Sequence, residues 1–422
     1  MGREPYRPSM EEKGSFDRLG LDPVHVRAVD ALGYEVPTPI QREAIPAILT
    51  GRDVIGTAQT GSGKTAAFLL PILQRLHRHP ATHTRALVLS PTRELAAQTE
   101  TALRGLAKGT RVRGHAVYGG VGMAPQEHAL RSGVDVVVAT PGRLLDHMGR
   151  RHVDFRGLQV LVLDEADRML DMGFLPDVRR IVDSLPRDRQ TLLFSATMPS
   201  EIESLSRTIM RNPVRIAVSP PHRPPPKIRH EVYPVPQHLK TALLVQILGR
   251  EDMMSVLVFV RTKRRADRVA RQVGQSGFDV ARIHGDRSQS QRETALEGFR
   301  SGRHQVLVAT DVAARGIDVV GISHVINYDV PTVPTDYVHR VGRTARAEAE
   351  GEAVTFVAPE EEGDLRGIEK VLGKPIPRVT LPDFDYSAPP PPKRHPPPAG
   401  RHPRPHARAH DRDRGVHRPR HR

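Results

Sequence analysis

The interpretation of this chain starts from one stretch, Ala58-Gln59-Thr60-Gly61-Ser62-Gly63-Lys64-Thr65. It follows a short apolar segment and precedes a helical pattern over 66–76. A glycine-rich loop between a strand and a helix can surround a polyphosphate with backbone N–H groups, and the helix dipole adds to the attraction. Lys64 would reach the outer phosphates, and the Thr65 hydroxyl would ligate Mg²⁺. We therefore predict that every residue of this stretch contributes to a nucleotide site.

The first position of this loop departs from the usual pattern, because Ala58 stands where glycine is common. The alternative interpretation is an ordinary Gly/Ser turn before Lys-Thr. The strand–loop–helix context favours phosphate binding, since the motif requires it.

Composition limits the class of protein. The chain has 422 residues, which suggests two or three domains, and 38% hydrophobic residues, which suffice for real cores. A formal net charge of +15 favours contact with nucleic acid, although a merely basic protein is the alternative. The absence of cysteine excludes disulfides, thiolate metal sites and thiol nucleophiles.

No apolar run reaches the roughly 18 residues of a membrane-spanning helix, and residues 1–14 are too polar for a signal peptide. We expect no membrane association and a cytoplasmic protein.

Beyond the phosphate loop, short apolar segments alternate with helical patterns. This alternation is typical of a parallel sheet covered on both faces, which binds ligands beyond the carboxyl ends of its strands. The apolar segments are 86–89, 112–118, 134–139, 160–163 and 191–194.

A polar cluster follows each of these segments and would lie at one edge of the sheet. The clusters are Pro91-Thr92-Arg93-Glu94-Leu95, Gly119-Gly120, Thr140-Pro141-Gly142-Arg143, Asp164-Glu165-Ala166-Asp167 and Ser195-Ala196-Thr197.

The acidic cluster suggests hydrolytic chemistry. Asp164 is the candidate metal ligand, and Glu165 is the candidate base for an attacking water. The alternative is a solvated helix start, where acidic residues are common. Gln41, after a Pro-interrupted turn, could hydrogen-bond an adenine edge, or it could simply begin a helix.

A Pro-rich segment at 219–227 is predicted to be a semi-rigid linker, and the alternation restarts after it. This second α/β domain contains no Gly-Lys-Thr, so either the two domains share one nucleotide site or the second domain does something else. Its strand-end clusters favour a shared site. Its apolar segments are 255–260, 280–283, 305–309, 324–328 and 353–357, and its helical segments are 239–248, 264–276 and 291–299.

The second domain also carries the cluster His339-Arg340-Val341-Gly342-Arg343-Thr344-Ala345-Arg346. Guanidinium groups brought to a γ-phosphate stabilise its developing charge, typically by about 10³–10⁵ in rate. A basic surface run is the alternative. If the arginines reach the phosphate, hydrolysis would release the two domains from each other.

The predicted organisation is therefore a disordered arm (1–15), a first domain (16–218), a linker (219–228), a second domain (229–380) and a disordered basic tail (381–422). From residue 387 the tail has ten Lys/Arg against two Asp and almost nothing apolar. Such a tail binds phosphate backbones without reading sequence, or it only increases solubility.

Together these motifs resemble those of the DEAD-box ATP-dependent RNA helicases, over residues 16–379. The acidic cluster spells the family name, and the segment from Gly33 to Gln41 is similar to the family's adenine-binding segment. Phe16, seventeen residues before Gly33, stands where the family has an adenine-stacking aromatic. The resemblance implies two tandem RecA-like domains joined by a short linker, with ATP and Mg²⁺ bound between them.

The resemblance also implies roles for individual residues. The implied catalytic residues are Lys64, Asp164, Glu165, Arg343 and Arg346, with Thr65 and Asp164 at the metal and Phe16, Gln41 and Asp318 added to the nucleotide contacts. The implied RNA contacts are Pro91, Thr92, Arg93, Gly119, Gly120, Thr140, Pro141, Arg143, Arg261, Thr262 and Thr310, with the pair Gln289 and Arg292 in a matching segment. The implied coupling residues are Asp167, Ser195, Thr197, Asp311 and His339.

The function implied is ATP-driven unwinding of short RNA duplexes through backbone contacts, with little sequence specificity. An ATP-gated RNA clamp or scaffold is the alternative, and a DNA translocase is a third reading of the same motifs. The compact core with a short basic tail is similar to the bacterial RhlE-like branch, and ribosomal or RNA-decay components are candidate partners.

Overall fold

The computed structural model describes residues 15–59, 61–79, 83–218, 228–250, 252–314, 321–344 and 351–390. In this part of the chain, strands and helices alternate and form two parallel sheets. Except for Ser15, which caps the first 3₁₀ helix, and Ile228, which begins a strand of the second sheet, the predicted arm and linker lie outside the described residues, as does most of the tail.

The first sheet contains β1 (Val54–Thr57), β2 (Ala86–Leu89), β3 (Gly114–Val117), β4 (Val136–Ala139), β5 (Val160–Asp164), β6 (Gln190–Ser195) and β7 (Val214–Ala217). Its helices are α1 (Pro23–Ala31), α2 (Pro39–Leu49), α3 (Lys64–Arg78), α4 (Arg93–Leu106), α5 (Met123–Arg131), α6 (Pro141–Gly149), α7 (Ala166–Asp171), α8 (Leu175–Asp183) and α9 (Ser200–Ile209), preceded by a 3₁₀ helix at Phe16–Leu19.

The second sheet contains β8 (Ile228–Pro234), β9 (Val256–Val260), β10 (Val280–Ile283), β11 (Val306–Thr310), β12 (His324–Asn327) and β13 (Gly351–Val357). Its helices are α10 (Lys240–Leu248), α11 (Lys263–Gln275), α12 (Gln289–Arg300), α13 (Asp311–Ala314), α14 (Pro334–Val341) and α15 (Glu362–Leu372), with a 3₁₀ helix at Pro359–Glu361.

Within the described residues, the two sheets are wound in the same way. The first has the order β3-β4-β2-β5-β6-β1-β7, and the second has the order β10-β11-β9-β12-β13-β8. The orders coincide strand for strand, except that the first sheet adds β7 at its edge. Each domain therefore presents its strand-end loops at one edge, as parallel sheets require.

Burial explains which strands the sequence pattern predicts. The central strands β2, β4, β5, β6, β9 and β12 are buried along their whole length, as strands covered on both faces must be. The edge strands β7 and β8 contain exposed and half-buried positions beside buried ones, and the apolar-run analysis missed both.

The ordered chain also continues past the predicted start of the tail at 381. The Leu381 N–H donates to the Tyr386 hydroxyl at 2.9 Å, and the rings of Phe384 and Tyr386 make an edge contact. The Gln246 side chain of α10 donates to the Asp383 carbonyl at 3.3 Å. The prediction of disorder was therefore wrong for 381–386, where two aromatic rings give the chain something to pack.

Candidate nucleotide and nucleic-acid site

The phosphate loop joins β1 to α3, as the sequence predicts. Gly61 and Gly63 have φ of 83° and 89°, which favour glycine. A Cβ on Gly63 would lie 2.5 Å from Gln41 Nε2, so the loop also needs glycine for close approach. Lys64 is the first residue of α3, is buried, and donates from Nζ to the Ala58 carbonyl at 2.7 Å. The lysine is thus held at the base of the loop.

The acidic residues follow β5 directly. Asp164 is 2% exposed, and its Oδ1 makes no hydrogen bond to any described residue. Burial and the neighbouring Glu165 carboxylate raise the pKa of Asp164 to about 7. A buried carboxylate oxygen without a partner is a suitable ligand for a cation.

Glu165 has a left-handed backbone, with φ of 52°, which is uncommon for a residue other than glycine. Its carboxylate pairs with Arg168, a buried residue that the sequence analysis did not select. Burial alone would raise the pKa of Glu165, but the charges of Arg168, Lys64 and Arg343 outweigh it and lower that pKa. The sequence signal for this ion pair is the i, i+3 spacing of Glu165 and Arg168 at the start of a helix, where such side chains are neighbours.

Arg343 comes from the second domain and reaches the same place. It lines a cavity of about 240 Å³ together with the phosphate loop and the acidic residues. Some residues that line this cavity were not predicted to belong to the site. The cavity is lined by Tyr34, Gly61, Gly63, Lys64, Thr65, Ala66, Leu95, Gln98, Ala102, Asp164, Glu165 and Arg343. One cavity therefore contains residues from both domains.

The residues predicted to couple the site are in contact within the first domain. Asp167 Oδ2 accepts hydrogen bonds from the Thr197 backbone N–H at 2.8 Å and the Thr197 hydroxyl at 3.0 Å. The Asp167 N–H donates to Ser195 Oγ at 3.1 Å. Burial opposes the charge, but Lys64, His339 and these hydrogen bonds together lower the pKa of Asp167. The end of β6 is thereby tied to the start of α7.

In the second domain, Arg340 fixes α14 rather than reaching the cavity. Its guanidinium makes a two-fold ion pair with Asp311, at 2.6 and 2.7 Å, and also donates to Asn327 and to the Asp329 carbonyl. It lies 5.1 Å from the ring centre of Phe259. Arg343 is one helical turn further on, so Arg340 positions it.

Gln41 lies at a helix start, which is one of the two interpretations that the sequence left open, and its contact with adenine stays a prediction. It is the third residue of α2, where its Oε1 accepts from the Thr38 N–H at 2.8 Å in a capping box. Its Nε2 donates to the Gly63 carbonyl at 3.1 Å, so the same amide touches the phosphate loop.

The position of Phe16 does not fit its predicted role. The ring is 3% exposed and belongs to the core of the first domain, which leaves no free face for an adenine. Tyr34, 38% exposed, is the aromatic residue that lines the cavity. A residue three positions past the end of a helix and beside a glycine has no periodicity to mark it, whereas Phe16 begins a short 3₁₀ turn whose packing fixes it inside.

The predicted RNA contacts of the first domain converge on the loop after β3. Arg93 lies under Gly119 and Gly120, where a Cβ on Gly120 would be 2.0 Å from Arg93 Nη1. Arg143 donates to the Val121 carbonyl at 3.1 Å. The other predicted residues lie at helix starts: Pro91 and Thr92 before α4, and Thr140 and Pro141 at α6.

The predicted RNA contacts of the second domain lie at the ends of β9 and β11. Arg261 donates to the Val330 carbonyl at 3.0 Å, while the Thr262 hydroxyl caps α11. Thr310 is the last residue of β11, directly before Asp311. These three residues therefore occupy the same edge of their sheet as Arg343.

A further contact between the domains was not predicted. Arg292 of α12 pairs with Glu94 of α4 at 2.7 Å, and both are at least nine-tenths buried. Burial raises the pKa of Glu94, and Arg292 acts against that rise. The sequence analysis placed Glu94 in a strand-end cluster but gave no partner, since nothing local links α4 to α12.

Three predicted residues lie outside the described part of the chain: Thr60, Asp318 and Arg346. Their assignment to the site stays a prediction.

Two similar sheets that meet at one phosphate-binding cavity, with an arginine supplied by the second, define a tandem RecA-like nucleotide-hydrolysing protein. Residues 38–205 match the DEAD/DEAH box helicase family, and residues 239–348 match the helicase conserved C-terminal domain. The chain belongs to the DEAD/DEAH box helicase family.

Relatives and solved structures agree with this assignment. The chain is 43% identical over 370 residues to the ATP-dependent RNA helicase CshA of Listeria monocytogenes, covering 88% of this chain and 71% of that protein. It is 40% identical over 371 residues to the DEAD-box ATP-dependent RNA helicase CshA of Bacillus subtilis, covering 88% and 75%. S. cerevisiae Dbp5 bound to RNA and ADP BeF3 superposes with a TM-score of 0.80 at 33% identity, covering 87% and 95%.

Sequence identity does not determine the order of these superpositions. A DEAD box protein from Methanococcus jannaschii is 36% identical and covers 86% of this chain and 99% of that one, yet has a TM-score of 0.52. In the described residues, no helix combines the length and apolarity needed to cross a bilayer.

Proposed function

We propose that this protein is an ATP-dependent RNA helicase that binds ATP with Mg²⁺ between its two domains and separates short RNA duplexes. The observation that carries the proposal is the cavity where Arg343 of the second domain lies with Lys64, Asp164 and Glu165 of the first. Such a cavity is complete only when the domains are together. Binding of the nucleotide and closure of the domains are therefore linked.

The residues present fit a magnesium ion. Asp164 has a buried Oδ1 without a hydrogen-bond partner among the described residues, and Thr65 lines the same cavity. Oxygen ligands of this kind, few in number and beside phosphates, are what Mg²⁺ prefers. When bound, the ion would neutralise phosphate charge.

The protein's own groups account for the rest of the chemistry. Lys64 exchanges the Ala58 carbonyl for phosphate oxygens when the nucleotide binds. Glu165 orients the attacking water and accepts its proton, and its pairing with Arg168 keeps it ionised. Arg343, with Arg346 as its predicted partner, stabilises charge on the transferred phosphoryl group.

We propose RNA as the nucleic-acid substrate, because the relatives include RNA helicases and an RNA-bound structure, and because this protein has a strongly positive net charge. The arginines and glycines at the strand ends suit phosphate contacts, so little sequence preference is expected. Cytoplasmic location, ribosomal or RNA-decay partners, the RhlE-like branch and the domain limits all stay predictions under this proposal.

The decisive experiment is strand displacement on a short RNA duplex, with ATP and with a non-hydrolysable analogue. A helicase displaces the strand with ATP, whereas an ATP-gated clamp binds RNA under both conditions and displaces little. ATPase stimulation by DNA but not RNA would instead indicate a DNA translocase.

The variant Glu165→Gln tests the base assignment in the same assay. It keeps the shape of the side chain but cannot accept a proton, so it should bind ATP and RNA and turn over very slowly. Phosphate release at the wild-type rate would refute the role of Glu165.

A further inference from the structure

The amino-terminal edge of the second sheet carries a cluster that the nucleotide site does not use. His324 is the first residue of β12 and is in register with Glu352 on β13, so the two residues are neighbours across the sheet. Asp252 lies in the turn before β9. One nitrogen or oxygen atom from each of the three residues lies within 4.8 Å of the others.

The hydrogen bonds of His324 determine which ring nitrogen faces this cluster. Nδ1 lies 2.9 Å from the hydroxyl oxygen of Ser323, which donates to the Ser255 carbonyl at 3.0 Å and accepts from the Ser255 N–H at 3.1 Å. The donor and acceptor roles of Nδ1 and this hydroxyl depend on the tautomer of the ring. When Nδ1 donates to Ser323, the neutral ring presents the lone pair of Nε2 to the cluster, which is the tautomer that a metal ion requires.

Nε2 faces negative charge. His324 is 4% exposed, and Nε2 makes no hydrogen bond to a described residue although the Glu352 carboxylate is 3.3 Å away. In the tautomer protonated at Nδ1, the lone pair of Nε2 lies opposite this carboxylate, which is unfavourable unless a cation lies between them.

The nearby arginines leave part of this negative charge uncompensated. Arg250 pairs with Asp252 at 2.9 Å. Arg229 lies 3.7 Å from Glu352 but only 2.7 Å from Glu231, which therefore competes for it. The Asp252 side chain is exposed, so an ion can enter the cluster from solvent.

We propose that Asp252, His324 and Glu352 form a binding site for a first-row divalent metal ion of the Zn²⁺ type. One imidazole nitrogen with two carboxylates is a donor set that such ions accept, and three protein ligands leave a position for water. The imidazole disfavours Mg²⁺ and Ca²⁺, which prefer oxygen ligands. The bound ion would join the turn before β9 to the starts of β12 and β13, and so stabilise the second domain.

The test is thermal unfolding of the full-length protein, stripped with a chelator and then titrated with Zn²⁺. At a hundredfold excess over the dissociation constant, Zn²⁺ should raise the unfolding midpoint by roughly 3 °C or more. Asp252→Asn and Glu352→Gln keep the size of each side chain but remove a charged ligand, so both should lose the shift. Asp279→Asn is the matched control, because Asp279 is an exposed acid directly before β10 at the same sheet edge.

The outcomes separate this site from other binding. A shift that is equal in all four proteins would place the ion elsewhere, for instance on the histidines beyond residue 390, and would overturn the proposal. So would the absence of a shift in the wild type, or an equal shift with Mg²⁺. Equilibrium dialysis provides a second readout, since Asp279→Asn should retain more tightly bound Zn²⁺ than Asp252→Asn.

Discussion

The two domains place a lysine at the same topological point and use it differently. Lys64 begins α3 after the first strand of its sheet, and Lys240 begins α10 after the first strand of the other. Lys64 lies in a glycine-rich loop beside a cavity. Lys240 is fully buried, pairs with Glu361, and donates to the Tyr328 and Phe356 carbonyls at 2.8 and 3.1 Å.

The aspartates at the ends of the equivalent strands differ in the same way. Asp164 ends β5 with an oxygen that no described residue satisfies. Asp329 follows β12, is fully buried, pairs with Arg265, and accepts the Arg261 N–H at 2.8 Å. The same fold therefore makes a reactive edge in one domain and a structural edge in the other. The difference lies in whether buried polar groups are satisfied by the protein itself.

The largest expected effect tests whether the second domain supplies catalysis at all. Arg343→Ala should lower kcat for ATP hydrolysis by about 10³-fold or more, because it removes positive charge from the cavity. Arg366→Ala, which changes an exposed arginine on α15, is the control and should hydrolyse ATP normally. RNA-stimulated phosphate release measures both, and near-normal turnover by Arg343→Ala would break the comparison.

The two lysines should separate activity from stability. Lys240→Met would leave the buried Glu361 with only the more distant Arg261, at 3.6 Å, as a cationic partner, and should reduce the free energy of unfolding by about 3 kcal/mol. Lys64→Met loses one hydrogen bond, about 1 kcal/mol, but should abolish ATP hydrolysis. Denaturant unfolding and an ATPase assay on the same samples check both, and equal stability losses would contradict the distinction.

Substitutions of the two aspartates, Asp329 and Asp164, test the same distinction with a smaller expected change in stability. Asp329→Asn removes the charge that holds Arg265 and should cost about 1–3 kcal/mol of stability. Asp164→Asn removes a buried charge with a raised pKa, so the variant should be at least as stable as the wild type while losing activity. Thermal unfolding of each variant decides, and a destabilised Asp164→Asn would show that its charge is already satisfied.

Acid should destabilise both domains. Burial lowers the pKa of His25 in the first domain and of His230 in the second from 6.5 to about 4. The unfolded chain therefore binds protons that the folded chain does not, and stability should fall as the pH is lowered from 6.5 towards 4. His25→Leu should flatten the dependence in an unfolding series, and an unchanged slope would remove His25 from the explanation.

Most of this fold was predictable because its central strands are apolar on both faces. Such strands appear in the sequence as uninterrupted runs, and β10 was predicted with both ends correct. The edge strand β7 was not, since half of its residues face solvent. The phosphate loop and the acidic cluster were predictable because their chemistry is encoded in adjacent residues.

The rest of the site depends on residues that are distant in sequence. The ion pair between Glu94 and Arg292 forms only when α4 meets α12, and no local sequence spacing predicts it. Arg168 was missed because an arginine after an acidic cluster looks like an ordinary charged residue of a helix, and its pairing with Glu165 is visible only in the structure. Phe16 was misplaced since the resemblance supplied a role that the packing of this chain does not allow.

Arg340 complicates the way defects in this protein are diagnosed. Four of its five N–H groups donate to the protein, at Asp311, Asn327 and Asp329, and it holds the helical turn that carries Arg343. A conservative change such as Arg340→Lys would replace these four hydrogen bonds with those of a single ammonium and let the neighbouring guanidinium move. In a steady-state assay the variant would be mistaken for one damaged in its chemistry, although every group that meets the substrate would be intact.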